Sequence, residues 1–215
     1  MPPTVCIVGK SETGKTTLLE KLIPELKGRG HRIATIKHQA GGFDLDIPGK
    51  DSWRHAQAGS ECVILSSTER VAVIQQTDHE MSLADLAQFI PWDCDLVLVE
   101  GFKKGKASKI EVHRKGSGEL ALFPQELLAV VTDEELDLDE RAPQYSHDDI
   151  SGLADLIEDK ILSSQAEEVS VFADGKAIPV KQYVADLFAN IVYDMVSSLK
   201  GAESPKNMSI SIRKR

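Results

Sequence analysis

Several features that would assign the chain to particular protein classes are scarce or missing. The 215 residues include only three cysteines, Cys6, Cys62 and Cys94, at wide spacing. This number and spacing argue against a disulfide framework or a CxxC metal site, and they fit a reducing cytoplasm. No apolar run approaches the roughly 18 residues of a membrane-spanning helix, so no membrane span is expected. The N-terminal residues predict no secretory signal.

The sequence also lacks an excess of basic residues. The formal net charge is −9, and residues 133–168 contribute 13 acidic side chains against two basic ones. Without a broad basic face, nucleic-acid binding is not expected. The acidic segment is predicted to be a solvated surface, and a docking patch for a basic partner is the sharper alternative.

The order of predicted elements indicates an α/β fold with a mostly parallel sheet flanked by helices. Short apolar runs at residues 4–8, 31–36, 95–99, 109–113 and 128–131 predict strands, and helical spacing marks residues 16–27, 52–58, 82–90 and 153–161. Pro24 is expected to kink or end the first helix. The runs at 62–66 and 71–75, joined by a short polar turn, predict an antiparallel hairpin at a sheet edge.

A change in composition after residue 163 predicts a boundary between two domains. Residues 1–163 would form a nucleotide-binding domain, and residues 164–215 a small α+β module. In the module we expect a hairpin around Asp174-Gly175, a helix of about five turns over residues 180–199 and a last strand at Ile210 and Ile212.

The motif with the clearest chemistry is a phosphate-binding loop of the form G-x-x-x-x-G-K-[ST]. It is formed by Gly9, Lys10, Ser11, Glu12, Thr13, Gly14, Lys15 and Thr16, between a predicted strand and a predicted helix. The glycines let backbone N–H groups surround an anion at the positive end of the helix. The lysine reaches the β- and γ-phosphates, the Thr16 hydroxyl is a ligand for Mg²⁺, and Thr17 is placed for the α-phosphate.

A second motif is the apolar strand that ends in Glu100-Gly101, which has the form of a Walker B segment. An acid at the carboxyl end of such a strand lies where phosphate-loop ligands bind. Glu100 is therefore predicted to hold Mg²⁺ or orient the attacking water, and Gly101 to bring its N–H towards the γ-phosphate.

Further candidates follow two other strands. Lys37 begins a loop that also contains Asp46 and Lys50, and this loop could lie over the phosphates as a switch. Asp46 is a candidate metal ligand and, with Glu100, a candidate catalytic carboxylate; a simple solvated loop is the alternative. Asp133 follows the strand that ends at Val131 and could accept hydrogen bonds from guanine.

These motifs together resemble the family of molybdopterin-guanine dinucleotide biosynthesis adapter proteins, MobB, over about residues 4–160. The residues that carry the resemblance are the run 14–19, Ile36-Lys37-His38, Asp46-x-Pro48-Gly49-Lys50-Asp51-Ser52, Ala58-Gly59, residues 99–103 and Lys109-Ile110. The resemblance implies a P-loop NTPase-type fold and a cytoplasmic homodimer that binds GTP and Mg²⁺. It also implies weak GTP hydrolysis and an adapter role for the guanylyltransferase that joins GMP to molybdopterin.

By position, the resemblance assigns Gly14, Lys15, Thr16 and Thr17 to phosphates and Mg²⁺, and Asp46 and Glu100 to the metal. Lys37, Lys50 and Lys103 would face phosphate or pterin, which makes molybdopterin a candidate bound substrate.

Two other function classes share the phosphate loop. A small-molecule kinase would need arginines to clamp the transferred group, and we expect none near the loop. A metal-insertion GTPase of the nickel-chaperone type would need a Cys-x-His or histidine-rich tract, which the sequence lacks.

Overall fold

The computed structural model describes residues 2–201 and 208, except for residues 40, 44, 92, 139–141, 164–168, 170 and 174–175. The chain divides into two compact units. The first contains Met1–His38 and Ala87–Arg215, and the second contains Gln39–Leu86.

The first unit is built on a parallel sheet of six strands in the order β2-β5-β1-β6-β7-β8. The strands are β1 (Thr4–Val8), β2 (Ile33–Lys37), β5 (Leu96–Glu100), β6 (Ser108–Val112), β7 (Ala129–Val131) and β8 (Gln144–Tyr145). Five of them confirm predicted strands to within two residues at each end. The two-residue strand β8 was not predicted, because its sequence has no apolar run.

The core lies on both faces of the central strands. Val5 and Ile7 on one face of β1 are fully buried, and so are Cys6 and Val8 on the other. This burial explains the near-continuous apolar sequences of β1 and β5, because strands covered on both faces show no polar alternation. Burial raises the pKa of the Cys6 thiol to about 11.

Two helices pack on the sheet and on each other. Helix α1 (Lys15–Gly28) buries Leu18, Leu19, Leu22 and Leu26, and α4 (Ile150–Ile157) buries Leu153, Ala154 and Ile157. A π-helical turn continues α4 over Glu158–Leu162. Pro24 lies inside α1 without ending it, because the leucines on either side hold that turn in the core.

An ion-pair network ties the end of α1 to the end of α4. Arg29 Nη1 lies 2.5 Å from Asp155 and 2.6 Å from Glu158, and its Nε contacts Glu25 at 2.9 Å. His31 Nε2 lies 2.6 Å from the other oxygen of Glu158. Hydrogen bonds from His31 and Arg29 lower the pKa of Glu158.

The second unit contains α2 (Asp51–Gln57), β3 (Cys62–Ser66), β4 (Val71–Gln75) and α3 (Leu83–Leu86), and a 3-10 turn follows at Ala87–Phe89 in the first unit. The predicted hairpin is confirmed, since β3 and β4 pair antiparallel. Its predicted position was wrong: the two strands form a sheet of their own. Local sequence fixes the pairing of a hairpin but not where the hairpin packs. Ile64, Val71 and Val73 stay exposed.

The C-terminal part contains β9 (Val171–Ala173) and β10 (Lys176–Ile178), which pair antiparallel, and α5 (Gln182–Ser197). The predicted hairpin and long helix are thus confirmed. The predicted turn at Asp174-Gly175 and the predicted strand at Ile210 and Ile212 lie outside the described residues. A domain boundary at residue 163 stays a prediction.

None of the helices in the described part of the chain combines the length and hydropathy needed to cross a bilayer.

Candidate functional site

The predicted phosphate loop is a tight backbone turn between β1 and α1. Gly9 has φ +139° and Gly14 has φ +98°, and residues that carry a Cβ rarely adopt such backbone conformations. A Cβ at Gly9 would lie 2.4 Å from the Val112 carbonyl oxygen, so only glycine fits between the loop and β6. Glu12 also has a positive φ, of 64°, and this non-glycine residue stores strain.

Polar side chains brace this loop from within. Thr13 is buried, and its hydroxyl donates to the Lys10 carbonyl oxygen at 3.1 Å. Lys10 Nζ reaches across to the Ser117 carbonyl oxygen at 2.6 Å. Ser11 and Glu12 are exposed at the tip of the loop.

The Lys15 ammonium lies over the same loop. Its Nζ donates to the Lys10 carbonyl oxygen at 2.5 Å and lies 3.5 Å from that of Gly9. The pKa of Lys15 is lowered mainly by burial; Glu100 opposes this effect, and Lys103 and Lys37 add to it. Lys37 and Lys103 therefore add positive charge around Lys15 beside the loop, an arrangement that attracts a polyanion.

Thr16 and Glu100, the two predicted metal ligands in this unit, are in direct contact. The Thr16 hydroxyl lies 3.1 Å from both carboxylate oxygens of Glu100, although 84 residues separate them. The sheet brings them together because β5 pairs with β1 and places Glu100 opposite Ile7. On its other side β5 pairs with β2, and Lys37 Nζ lies 3.6 Å from Glu100.

The predicted approach of the Gly101 N–H to the γ-phosphate stays a prediction. This N–H donates to the Ile7 carbonyl oxygen at 3.0 Å, because the parallel hydrogen-bond ladder extends one residue beyond β5. What Gly101 provides is close approach: a Cβ there would lie 3.2 Å from the Cβ and carbonyl oxygen of His38. The His38 ring packs on Phe102 at 4.2 Å between centroids, and the His38 N–H donates to the Glu100 carbonyl oxygen.

Asp46 and Lys50 belong to the second unit. Asp46 Oδ1 accepts hydrogen bonds from the Ile47 N–H at 2.9 Å and the Ser52 hydroxyl at 2.8 Å. Lys50 is the N-terminal cap residue of α2, and its backbone N–H donates to the Ile47 carbonyl oxygen. These contacts shape the start of α2, and the metal and phosphate roles of the two residues stay predictions.

Asp133 lies just after β7, and its carboxylate is held in place. Oδ1 accepts the Lys115 N–H at 2.6 Å, and this hydrogen bond is the main cause of the lowered pKa of Asp133. Oδ2 lies 3.9 Å from Nη1 of Arg114. Asp133 lines a cavity of about 290 Å³ together with Gly14, Thr17, Leu18, Lys21, Arg114, His147 and Asp148. Asp133 and the phosphate loop are therefore neighbours.

Arg114 is a site residue that the sequence motifs did not predict. The expectation that no arginine lies near the loop was wrong: Nη2 of Arg114 is 3.5 Å from where a Cβ of Gly14 would be. Its place directly after the predicted strand 109–113 was the available signal, since side chains at carboxyl ends of parallel strands meet at one edge.

Two buried charged groups were also missed. Glu111 is 1% exposed, and its carboxylate accepts the N–H groups of Ala121 and Leu122 at 2.6 and 3.1 Å. The buried Lys109 donates to the carbonyl oxygens of Gly105 and Ala107, so it fixes the loop that precedes β6. Lys109 therefore fixes backbone at the start of β6, and Glu111 fixes the backbone of residues 121 and 122.

No cluster of three or more potential His, Cys, Asp or Glu metal ligands occurs among the residues that the structure describes. The pair of oxygen ligands at Thr16 and Glu100 instead suits Mg²⁺, which takes one or two protein ligands and completes its shell with phosphate and water.

A family model, "Molybdopterin guanine dinucleotide synthesis protein B", matches residues 4–133 of the chain. The molybdopterin-guanine dinucleotide biosynthesis adapter protein of Haemophilus influenzae is 44% identical over 158 residues, which cover 73% of this chain and 88% of that protein. The Escherichia coli protein of the same name is 39% identical over 163 residues, which cover 73% of this chain and 92% of that protein.

The crystal structure of Bacillus subtilis MobB is also similar, with a TM-score of 0.60 and 25% identity. The match covers 74% of this chain and 98% of that one. These matches favour neither the kinase nor the metal-insertion alternative. The chain belongs to the molybdopterin guanine dinucleotide synthesis protein B family.

Proposed function

We propose that this chain is a GTP- and Mg²⁺-binding adapter that assists a guanylyltransferase in attaching GMP to molybdopterin. The observation that carries the nucleotide site is the contact of Thr16 with Glu100 beside a glycine-built phosphate loop. The adapter role is supported by the family and by the names of the relatives.

The backbone of residues 9–17 and three lysines would hold the phosphates. Lys15 would exchange its carbonyl contacts for β- and γ-phosphate oxygens, which are stronger acceptors because they are charged. Lys37 and Lys103 lie close enough to Lys15 to lower its pKa, so their charges act on the same region. The family resemblance is the basis for assigning Lys50 to a contact with phosphate or pterin. It is also the basis for proposing molybdopterin as a bound substrate.

Thr16 and Glu100 would hold Mg²⁺, and Asp46 is the third proposed ligand. Bound Mg²⁺ would neutralise charge on the phosphate oxygens. Glu100 would also orient water for hydrolysis, with Asp46 as the second carboxylate. Weak turnover is the expectation that the family resemblance supports.

Asp133 would select guanine. A carboxylate accepts hydrogen bonds from both N1–H and the 2-amino group of guanine, and adenine offers no matching pair of donors. The Lys115 N–H leaves Oδ2 and part of the lone-pair capacity of Oδ1 for this purpose.

The proposed assembly is a cytoplasmic homodimer that docks on the guanylyltransferase. The exposed apolar residues of β3 and β4, such as Ile64 and Val71, support a protein interface, because exposed apolar patches mark interaction sites. Light scattering after size-exclusion chromatography would test the dimer, and a mass of one chain would contradict it.

The first experiment measures equilibrium binding of Mg-GTP and Mg-ATP to the full chain. We expect the chain to bind Mg-GTP more tightly than Mg-ATP and the Lys15→Ala variant to lose this preference. Lys27→Ala, an exposed lysine in the last turn of α1, is the matched control and should bind normally. Preference for ATP would overturn the proposal and favour a kinase.

Asp133→Asn tests base selection. Xanthine carries an oxygen where guanine carries the 2-amino group, and an asparagine amide can donate to that oxygen. The variant should therefore lose affinity for Mg-GTP and gain affinity for Mg-XTP. An unchanged preference for GTP would remove Asp133 from the base site.

A further inference from the structure

The cavity beside the phosphate loop has two distinct walls. One wall is a single face of the start of α1, formed by Gly14, Thr17, Leu18 and Lys21 at helical spacing. The other wall comes from the residues that follow β6, β7 and β8, namely Arg114, Asp133, His147 and Asp148. The volume of the cavity, about 290 Å³, is close to the lower limit of about 300 Å³ for small-molecule pockets.

Arg114 lies where these walls meet the phosphate loop. Its Nη2 and Nε are 3.5 and 3.8 Å from the Cβ position of Gly14, so the guanidinium lies against the loop backbone. Its side chain is 51% exposed, which leaves much of the guanidinium open to a ligand.

Asp133, the ion-pair partner of Arg114, leaves the guanidinium able to bind a ligand. Nη1 lies 3.9 Å from Asp133 Oδ2, longer than the roughly 2.8 Å of a charged hydrogen bond. The negative charge of Asp133 weakens the electrostatic attraction of Arg114 for a phosphate. It does not cover the planar faces of the guanidinium. A guanidinium plane stacks well on aromatic rings.

We propose that Arg114 is a nucleoside-binding residue that stacks its guanidinium on the base held by Asp133 in this cavity. The inference rests on the proposed function, because it assumes that a guanine nucleotide occupies the phosphate loop. The segment after β6 then serves the base twice: Arg114 covers its face, and the Lys115 N–H orients the carboxylate that reads its edge.

The test compares a ligand that has a base with one that has none. Binding of Mg-GTP is measured directly, and magnesium tripolyphosphate is measured as a competitor. Arg114→Ala should weaken Mg-GTP binding about tenfold, equal to about 1.4 kcal/mol, and leave tripolyphosphate binding unchanged. Arg114→Lys should behave like Arg114→Ala, because lysine keeps the charge but not the plane.

Arg32→Ala is the matched control. Arg32 is an exposed arginine that also pairs with an aspartate, Asp93, but at the start of β2, and its loss should not affect either ligand. Thermal melting of each variant would check the fold.

Three results would overturn the inference. Unchanged Mg-GTP binding by Arg114→Ala would remove the residue from the site. Equal weakening of both ligands, rescued by Arg114→Lys, would make it a phosphate contact. Failure of the wild-type chain to bind Mg-GTP would refute the proposed function and this inference with it. This outcome is distinct from the other two because it is seen without any substitution at Arg114.

Discussion

Replacing Gly9 with alanine tests whether β6 fixes the phosphate loop. The new Cβ would lie 2.4 Å from the Val112 carbonyl oxygen and 3.0 Å from the Thr13 hydroxyl. Val112 cannot yield cheaply, because β6 is hydrogen-bonded to β1 on one side and to β7 on the other. Relief of the overlap should cost about 1–3 kcal/mol, and the positive φ a further 1–3 kcal/mol or so.

The control separates these two costs. Gly30 has φ +98° with nothing within 4 Å of its Cβ position, so Gly30→Ala should cost only about 1–2 kcal/mol of backbone strain. At about 2–4 °C of melting temperature per kcal/mol, Gly9→Ala should melt about 10 °C below wild type and Gly30→Ala about 4 °C below it. Gly9→Ala should also lose Mg-GTP affinity. Equal melting temperatures for the two variants would refute the steric argument.

Three other variants have clear expected outcomes. Glu12→Gly removes a positive-φ side chain and a negative charge from the loop, so it should tighten Mg-GTP binding in a titration; weaker binding would contradict this. Glu111→Gln turns an amide NH₂ towards backbone donors and should lower the unfolding free energy by about 1–3 kcal/mol in urea, whereas exposed Glu119→Gln should not. Because the pKa of Glu158 is lowered in the folded chain, its ionised carboxylate stabilises the fold above the ordinary pKa of 4.5, and this stabilisation is lost as the pH falls below that value. In melting experiments at acid pH, Glu158→Gln should lack this pH-dependent loss of stability.

The start of the chain could be predicted because its signals are local. An apolar β-branched run, two glycines around a lysine and leucines at helical spacing define β1, the loop and α1 to within about a residue. The same local chemistry predicted that Glu100 serves the loop, since an acid at the end of a buried strand has few other places to lie.

What sequence reasoning missed depends on which strands become neighbours. Arg114 meets Gly14 because β6 pairs with β1. Its place after a predicted strand indicated the carboxyl edge of the sheet but not which strand would be its neighbour. Glu111 looks like a solvent-facing strand residue until the N–H groups of residues 121 and 122 fold over it. The hydrogen bond from the Gly101 N–H to Ile7 was also missed, because the extension of the ladder beyond β5 cannot be read from the motif.

The strand order has a consequence for synthesis of the chain on the ribosome. β1 is made first, but its two sheet neighbours, β5 and β6, end at residues 100 and 112. At about 5–20 residues per second, β1 waits on the order of 5–20 s with both edges unpaired. During this interval its apolar residues and open hydrogen-bonding groups are exposed to other nascent chains. The strand that precedes the phosphate loop therefore gains its second sheet neighbour only after residue 112 is made.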